Sequence, residues 1–127
     1  MDTRNKILTA DAAHALPGPL AVVTGYFDVL RAEHARELAA IRQRNLDGSL
    51  LALVLPCPGE FFDIHARARM VAALRVVDYV LVADAPDVEA LLASLRPQAV
   101  FHLEAEDARR NREIVDRIRG RQGQAEP

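Results

Sequence analysis

The chain has one cysteine, Cys57, so it can form neither an intrachain disulfide nor a cysteine-based zinc site. No run approaches the roughly 18 apolar residues of a membrane span. The charged segment from Met1 to Ala10 lacks the apolar core of a signal peptide. The expected location is cytoplasmic, with no membrane partner. Lysine is also scarce: Lys6 stands alone beside fifteen arginines. A phosphate gripped by a side-chain cation would therefore be gripped by a guanidinium. The formal net charge is −2, which gives no electrostatic case for nucleic acid. His14, His34, His65 and His102 stand neither at i, i+4 spacing nor beside a matched carboxylate, so no metal site is expected. Linkers, internal repeats and low-complexity tracts are absent, and 127 residues suit one domain with a real core, not two.

What is present is an alternation of two patterns. Four apolar runs, Leu20 to Thr24, Leu50 to Leu55, Asp78 to Ala83 and Gln98 to Leu103, are nearly continuous in Val, Leu and Ala. Such runs suit strands covered on both faces. Between and after them lie helical patterns: Ala35 to Asn45, Ile64 to Val76, Pro86 to Leu95 with proline in the first turn, and Glu106 to Arg119. Asn45 to Ser49 reads as a turn, and Pro56-Cys57-Pro58-Gly59 as a loop. Repeated strand–helix units imply an α/β fold, a single Rossmann-like domain with a parallel sheet and helices on both faces. The domain is expected over residues 1–119, with a disordered tail over 120–127.

The stretch from Thr24 to His34 carries most of the functional information. A strand ends in Gly25, a polar turn follows, and a helix begins; at this place an α/β sheet receives a nucleotide. Gly25 and Tyr26 can offer backbone N–H groups to a phosphate, with Asp28 ordering the turn. The alternative is inherited turn structure, with Phe27 in the core and Asp28 as a helix cap. Gly25, Phe27, Asp28 and His34 match G-x-F-D-x-x-H-x-G-H, and the stretch thereby resembles the signature of the cytidylyltransferase-like nucleotidyltransferases. Ala66 to Leu74 with Val77-Asp78-Tyr79-Val80 resembles the E-R-x-x-x-L-A-A-L…V-D-Y-V segment of the bacterial ADP-heptose synthases, and Leu95-Arg96-Pro97-Gln98-Ala99-Val100 their L-R-P-D-V-L run. Lys6-Ile7-Leu8-Thr9 and a short helix resemble that domain's lead-in.

The resemblance implies a four-stranded sheet of order 3-2-1-4 with its crevice between the first and fourth strands. It implies transfer of a nucleotidyl group from ATP or CTP, with Mg²⁺, to a sugar or polyol phosphate. It assigns catalytic roles to His34 and to Arg31 as a substitute for the first histidine. Thr24, Gly25, Tyr26, Phe27, Asp28, Arg67 and His102 become the nucleotide-binding set. For His34, Arg31 and Arg67 the residues themselves also allow a helix histidine and two surface arginines.

Several positions depart from the family pattern. Glu33 replaces the signature glycine, and a like-charge contact with a polyphosphate at ~4–5 Å costs roughly 3–4 kcal/mol at an effective dielectric of about 20. His102 stands where a lysine belongs, and the Ser/Thr-rich helix start is absent. The expected function is a degenerate nucleotidyltransferase-like domain, catalytically inactive, with weak or no nucleotide binding and a binding or scaffolding role. The alternatives are an active enzyme with a rebuilt site and an oligomerisation module. Phe61 and Phe62 cannot both face one core, so one either covers the crevice or meets a partner protein or second copy. Cys57 has no flanking base and is expected to be a small loop residue.

Overall fold

The computed structural model describes residues 2–45, 47–83 and 88–125. A 3-10 turn, Thr3–Lys6, leads into β1 (Ile7–Leu8) and α1 (Ala10–His14). Then follow β2 (Leu20–Gly25), α2 (Ala32–Arg44), β3 (Ser49–Val54), α3 (Ile64–Ala72), β4 (Tyr79–Val82), α4 (Val88–Leu95), β5 (Ala99–His102) and α5 (Glu104–Ala125). All ladders are parallel, and the order across the sheet is β1-β4-β3-β2-β5.

The expectation of a four-stranded sheet in the order 3-2-1-4 is thus corrected to five strands. The four apolar runs are neighbours in it, as β4-β3-β2-β5, and β1 is added beyond β4. Two apolar residues are too few to register as a strand by pattern. Ile7 and Leu8 are held by pairing with Val80 and Leu81, and by Lys6, whose Nζ donates to the carbonyls of Leu74 and Val77 at 3.2 and 2.9 Å.

Continuous apolar runs are required because both faces of the sheet are covered. Successive residues of a strand point to opposite faces. Ala21 and Val23 of β2, with Leu50, Ala52 and Val54 of β3, pack with Leu38 and Ile41 of α2 and Val71 of α3. Leu20 and Val22, with Leu51 and Leu53, pack with Ala13 of α1 and with Leu92 and Leu95 of α4 on the other side. Every residue of β2 is buried. The helices begin and end within a few residues of their expected bounds, except that α2 starts at Ala32 and α5 runs on through Gly120 to Ala125. Pro86, Leu46 of the Asn45–Ser49 turn, Met1, Glu126 and Pro127 lie outside the described residues. Among the described residues no helix is long and apolar enough to cross a membrane.

Asp78 joins three elements at the amino-terminal edge of the sheet. Its carboxylate accepts from the Leu50 N–H at 2.8 Å and from Arg42 Nη1 at 2.8 Å. Arg42 also donates to the Gly48 carbonyl, so the end of α2, the start of β3 and the approach to β4 share one carboxylate. Asp78→Ala strips a partner from a strand N–H, and the expected cost is about 1–3 kcal/mol. Urea denaturation checks this, with an unchanged denaturant slope showing that the fold survives.

Candidate functional site

The site lies where β2, having β3 on one side and β5 on the other, passes into α2. This is the switch point of the sheet. Gly25 closes β2 in register with Val54. A Cβ there would stand 2.8 Å from the Phe27 ring and 2.9 Å from an Asp107 oxygen, so no side chain fits. Phe27 has φ 50°, a left-handed conformation that costs an L-residue about 1–2 kcal/mol. Its ring is fully buried, so core packing offsets the strain.

The Tyr26 and Phe27 N–H groups converge on one oxygen of Asp107, at 2.9 and 3.2 Å. His34 Nε2 meets the other carboxylate oxygen at 2.6 Å. The Arg31 backbone N–H donates to His34 Nδ1 at 3.2 Å, so Nδ1 is the acceptor and the ring proton sits on Nε2, facing Asp107. Both His34 and Asp107 are only 2 % exposed. The converging backbone pair is Tyr26 and Phe27, one residue beyond Gly25 and Tyr26, because Gly25 still belongs to the strand.

Asp107 comes from the first turns of α5, the helix that follows β5 directly. Leu103, between them, donates its N–H to the Thr24 carbonyl at 2.8 Å and accepts from the Asp107 N–H at 3.0 Å. The same turn brings in Glu104, which accepts a short hydrogen bond from the buried Thr24 hydroxyl. Since that hydroxyl has one proton, His102 Nδ1, 2.8 Å away, is the donor to its oxygen. His102 is also 3.5 Å from the Glu104 carboxylate. Two carboxylates of α5 thus stand at the carboxyl ends of β2 and β5.

The other expected site residues are spread around this centre. Asp28, buried, accepts from the N–H groups of Phe61 and Phe62 at 2.7 and 2.9 Å. Arg67, fully buried, donates to the carbonyls of Tyr26 and Leu55 at 2.7 Å each, to that of Phe62 at 3.1 Å, and to Glu60 at 2.7 Å. Its guanidinium therefore ties the β2–α2 turn to the loop after β3. At His34, Arg31 supplies its backbone N–H and not its guanidinium. Glu33 is exposed, and the carboxylate on the turn is Asp107. Sequence reasoning missed Asp107, which sits in a charged helix start with nothing local to single it out.

Beside this centre lies a cleft of about 530 Å³ between the loop after β3 and α5, lined by Tyr26, Cys57, Phe61, Arg112, Val115 and Arg119. Phe61 and Phe62 are each 46 % exposed. Burial pushes the Cys57 thiol up, and the Asp28 carboxylate adds to the effect, so a reactive thiolate is disfavoured. Among the described residues no group of three or more His, Cys, Asp or Glu side chains could hold a metal ion.

The fold and site define an α/β protein with an open parallel sheet whose switch-point turn is engaged by its own last helix. The chain is similar in fold to a solved structure, the lipopolysaccharide core biosynthesis protein from Thermoplasma volcanium GSS1, at 22 % identity and a TM-score of 0.57. The match covers 64 % of this chain and 70 % of that one. At this identity the likeness is one of fold alone. No protein-family model matches the sequence, and no curated protein matches it.

Replacing Arg67 by methionine keeps most of its volume and removes every donor. Three carbonyls, that of Leu55 buried, and the part-exposed Glu60 then lose a partner, and stability is expected to fall by about 1–3 kcal/mol. Chemical denaturation of Arg67→Met measures this. A loss under about 1 kcal/mol would show that the buried ties contribute little and return Arg67 to the ligand-binding candidates.

Proposed function

We propose that this chain is a degenerate nucleotidyltransferase-like domain, related in kind to that of the ADP-heptose synthases. On this reading it transfers no nucleotidyl group, binds nucleotide weakly or not at all, and acts by binding or scaffolding. The observation that carries the reading is the Asp107 carboxylate on the N–H groups of Tyr26 and Phe27 and on His34 Nε2. The family resemblance assigns this turn and this histidine to the phosphates of a nucleotide. Nucleotidyl transfer is an in-line displacement at the α-phosphorus, and the protein assists by positioning and by neutralising charge. Here the donors are engaged with a group of the same sign as the substrate.

The implied Mg²⁺–nucleotide does not fit the residues in this arrangement. A phosphate oxygen cannot share the donors with Asp107, and the nearby Glu104 adds a second repulsive charge. Each contact at ~4 Å costs roughly 4 kcal/mol at an effective dielectric of about 20. His102, in the place of the family's lysine, directs Nδ1 to Thr24. The half-exposed Phe61 and Phe62 form the surface on which this reading places a partner protein or second copy.

The rival is an active enzyme that uses Arg31, His34, Arg67 and His102 with ATP or CTP, Mg²⁺ and a sugar or polyol phosphate. Pyrophosphate release with each nucleotide, and calorimetric titration of each, separate the two. No turnover above background and no measurable nucleotide affinity are expected. Robust turnover that disappears in His34→Ala would establish the active enzyme.

A further inference from the structure

We infer that Asp107 is a built-in substitute for an oxyanion ligand, and that the turn beneath it is an oxyanion site bound in cis. The inference deepens the functional reading, since it names what closes the site. Three donors from two places in the chain, Tyr26 N–H, Phe27 N–H and His34 Nε2–H, converge on one carboxylate at 2.6–3.2 Å. Successive N–H groups beside a left-handed residue form a concavity suited to an anion, and Phe27 is that residue. Gly25 leaves the approach clear, and a Cβ there would meet the carboxylate itself. The histidine is set as a donor from behind, by the Arg31 N–H on Nδ1. All these features serve whatever anion occupies the position. None of them depends on that anion being part of α5.

The arrangement explains how α5 is held. Asp107 and Glu104 both bond to groups at the end of β2, and Leu103 pairs with Thr24. The donors that would hold a free oxyanion fasten the last helix to the sheet. A carboxylate tethered at that distance competes at a high effective concentration, so an external anion is excluded without any change in the donors.

Truncating Asp107 to alanine leaves the three donors facing a space of carboxylate size. The test measures melting temperature for wild type and Asp107→Ala against sodium formate, which matches the deleted group, and against inorganic phosphate. Sodium chloride at the same ionic strength is the control. The variant is expected to start lower and to rise by roughly 5 °C or more with either oxyanion and not with chloride, while wild type responds no more than it does to chloride. Adding His34→Ala should weaken the half-saturating oxyanion concentration at least tenfold. If Asp107→Ala alone cannot fold, the same titration is read by circular dichroism as recovery of structure.

A variant that responds to neither oxyanion, or stays unfolded at every concentration, overturns the inference. So does an equal response from wild type, or a response untouched by His34→Ala. Either result leaves the outcome of the turnover assay unaffected. Conversely, nucleotidyl transfer by wild type would remove the functional reading while this titration stays readable by itself.

Discussion

The N–H groups of Tyr26 and Phe27 lie at the carboxyl edge of the sheet, where β2 passes into α2. Buried donors left without acceptors cost about as much as the hydrogen bonds they forgo. Asp107 meets both, with His34 on its other oxygen. A buried carboxylate is itself costly to desolvate, by several kcal/mol, and bonds to an ionised acceptor return about 1.5–3 kcal/mol each. The two sides are comparable, so this contact specifies an arrangement more than it adds stability. Gly25 without a Cβ to meet it, the N–H groups beside the left-handed Phe27, the Nε2 of His34 and the first turns of α5 all come together at this one carboxylate.

A second charged strut works in the same direction. Arg67 is fully buried, and its partners are carbonyls from two loops plus Glu60. Asp28 holds the same loop from the other side, through the N–H groups of Phe61 and Phe62. The loop after β3 is therefore pinned by an anion from the β2–α2 turn and a cation from α3. Its aromatic side chains are left half exposed, and a cleft opens between it and α5. Arg67 and Asp28, which a ligand could have used, are instead internal fasteners.

Fold and function separate at this point. Likeness to a lipopolysaccharide core biosynthesis protein establishes the architecture, and open α/β sheets host many unrelated activities. The functional argument rests on which groups face the switch point and what they already bond. There the N–H groups of Tyr26 and Phe27 and the Nε2 of His34 already bond the Asp107 carboxylate.

Much of this was legible without coordinates, and the reason is local. The runs at Leu20 and Leu50 are nearly continuous in apolar residues because both faces of β2 and β3 are covered, and that condition is written residue by residue. Gly25 announces its turn for the same kind of reason, since no other residue fits there. The strand Ile7–Leu8 escaped because two residues carry no periodicity and depend on β4 for their pairing. Asp107 escaped for a deeper reason: it is one acidic residue among several at the start of α5, and its partners lie more than seventy positions earlier in the chain. Sequence alone determined four of the five strands, the helices that alternate with them and the position of the turn after Gly25, because each is specified by neighbours along the chain. Which carboxylate sits on that turn was decided only when the parallel crossovers brought β5 and α5 against β2, and which way Arg67 and Asp28 face only when they brought α3 and the loop after β3 against the β2–α2 turn, because hydrogen bonding acts across a few ångströms of space whatever the separation in sequence.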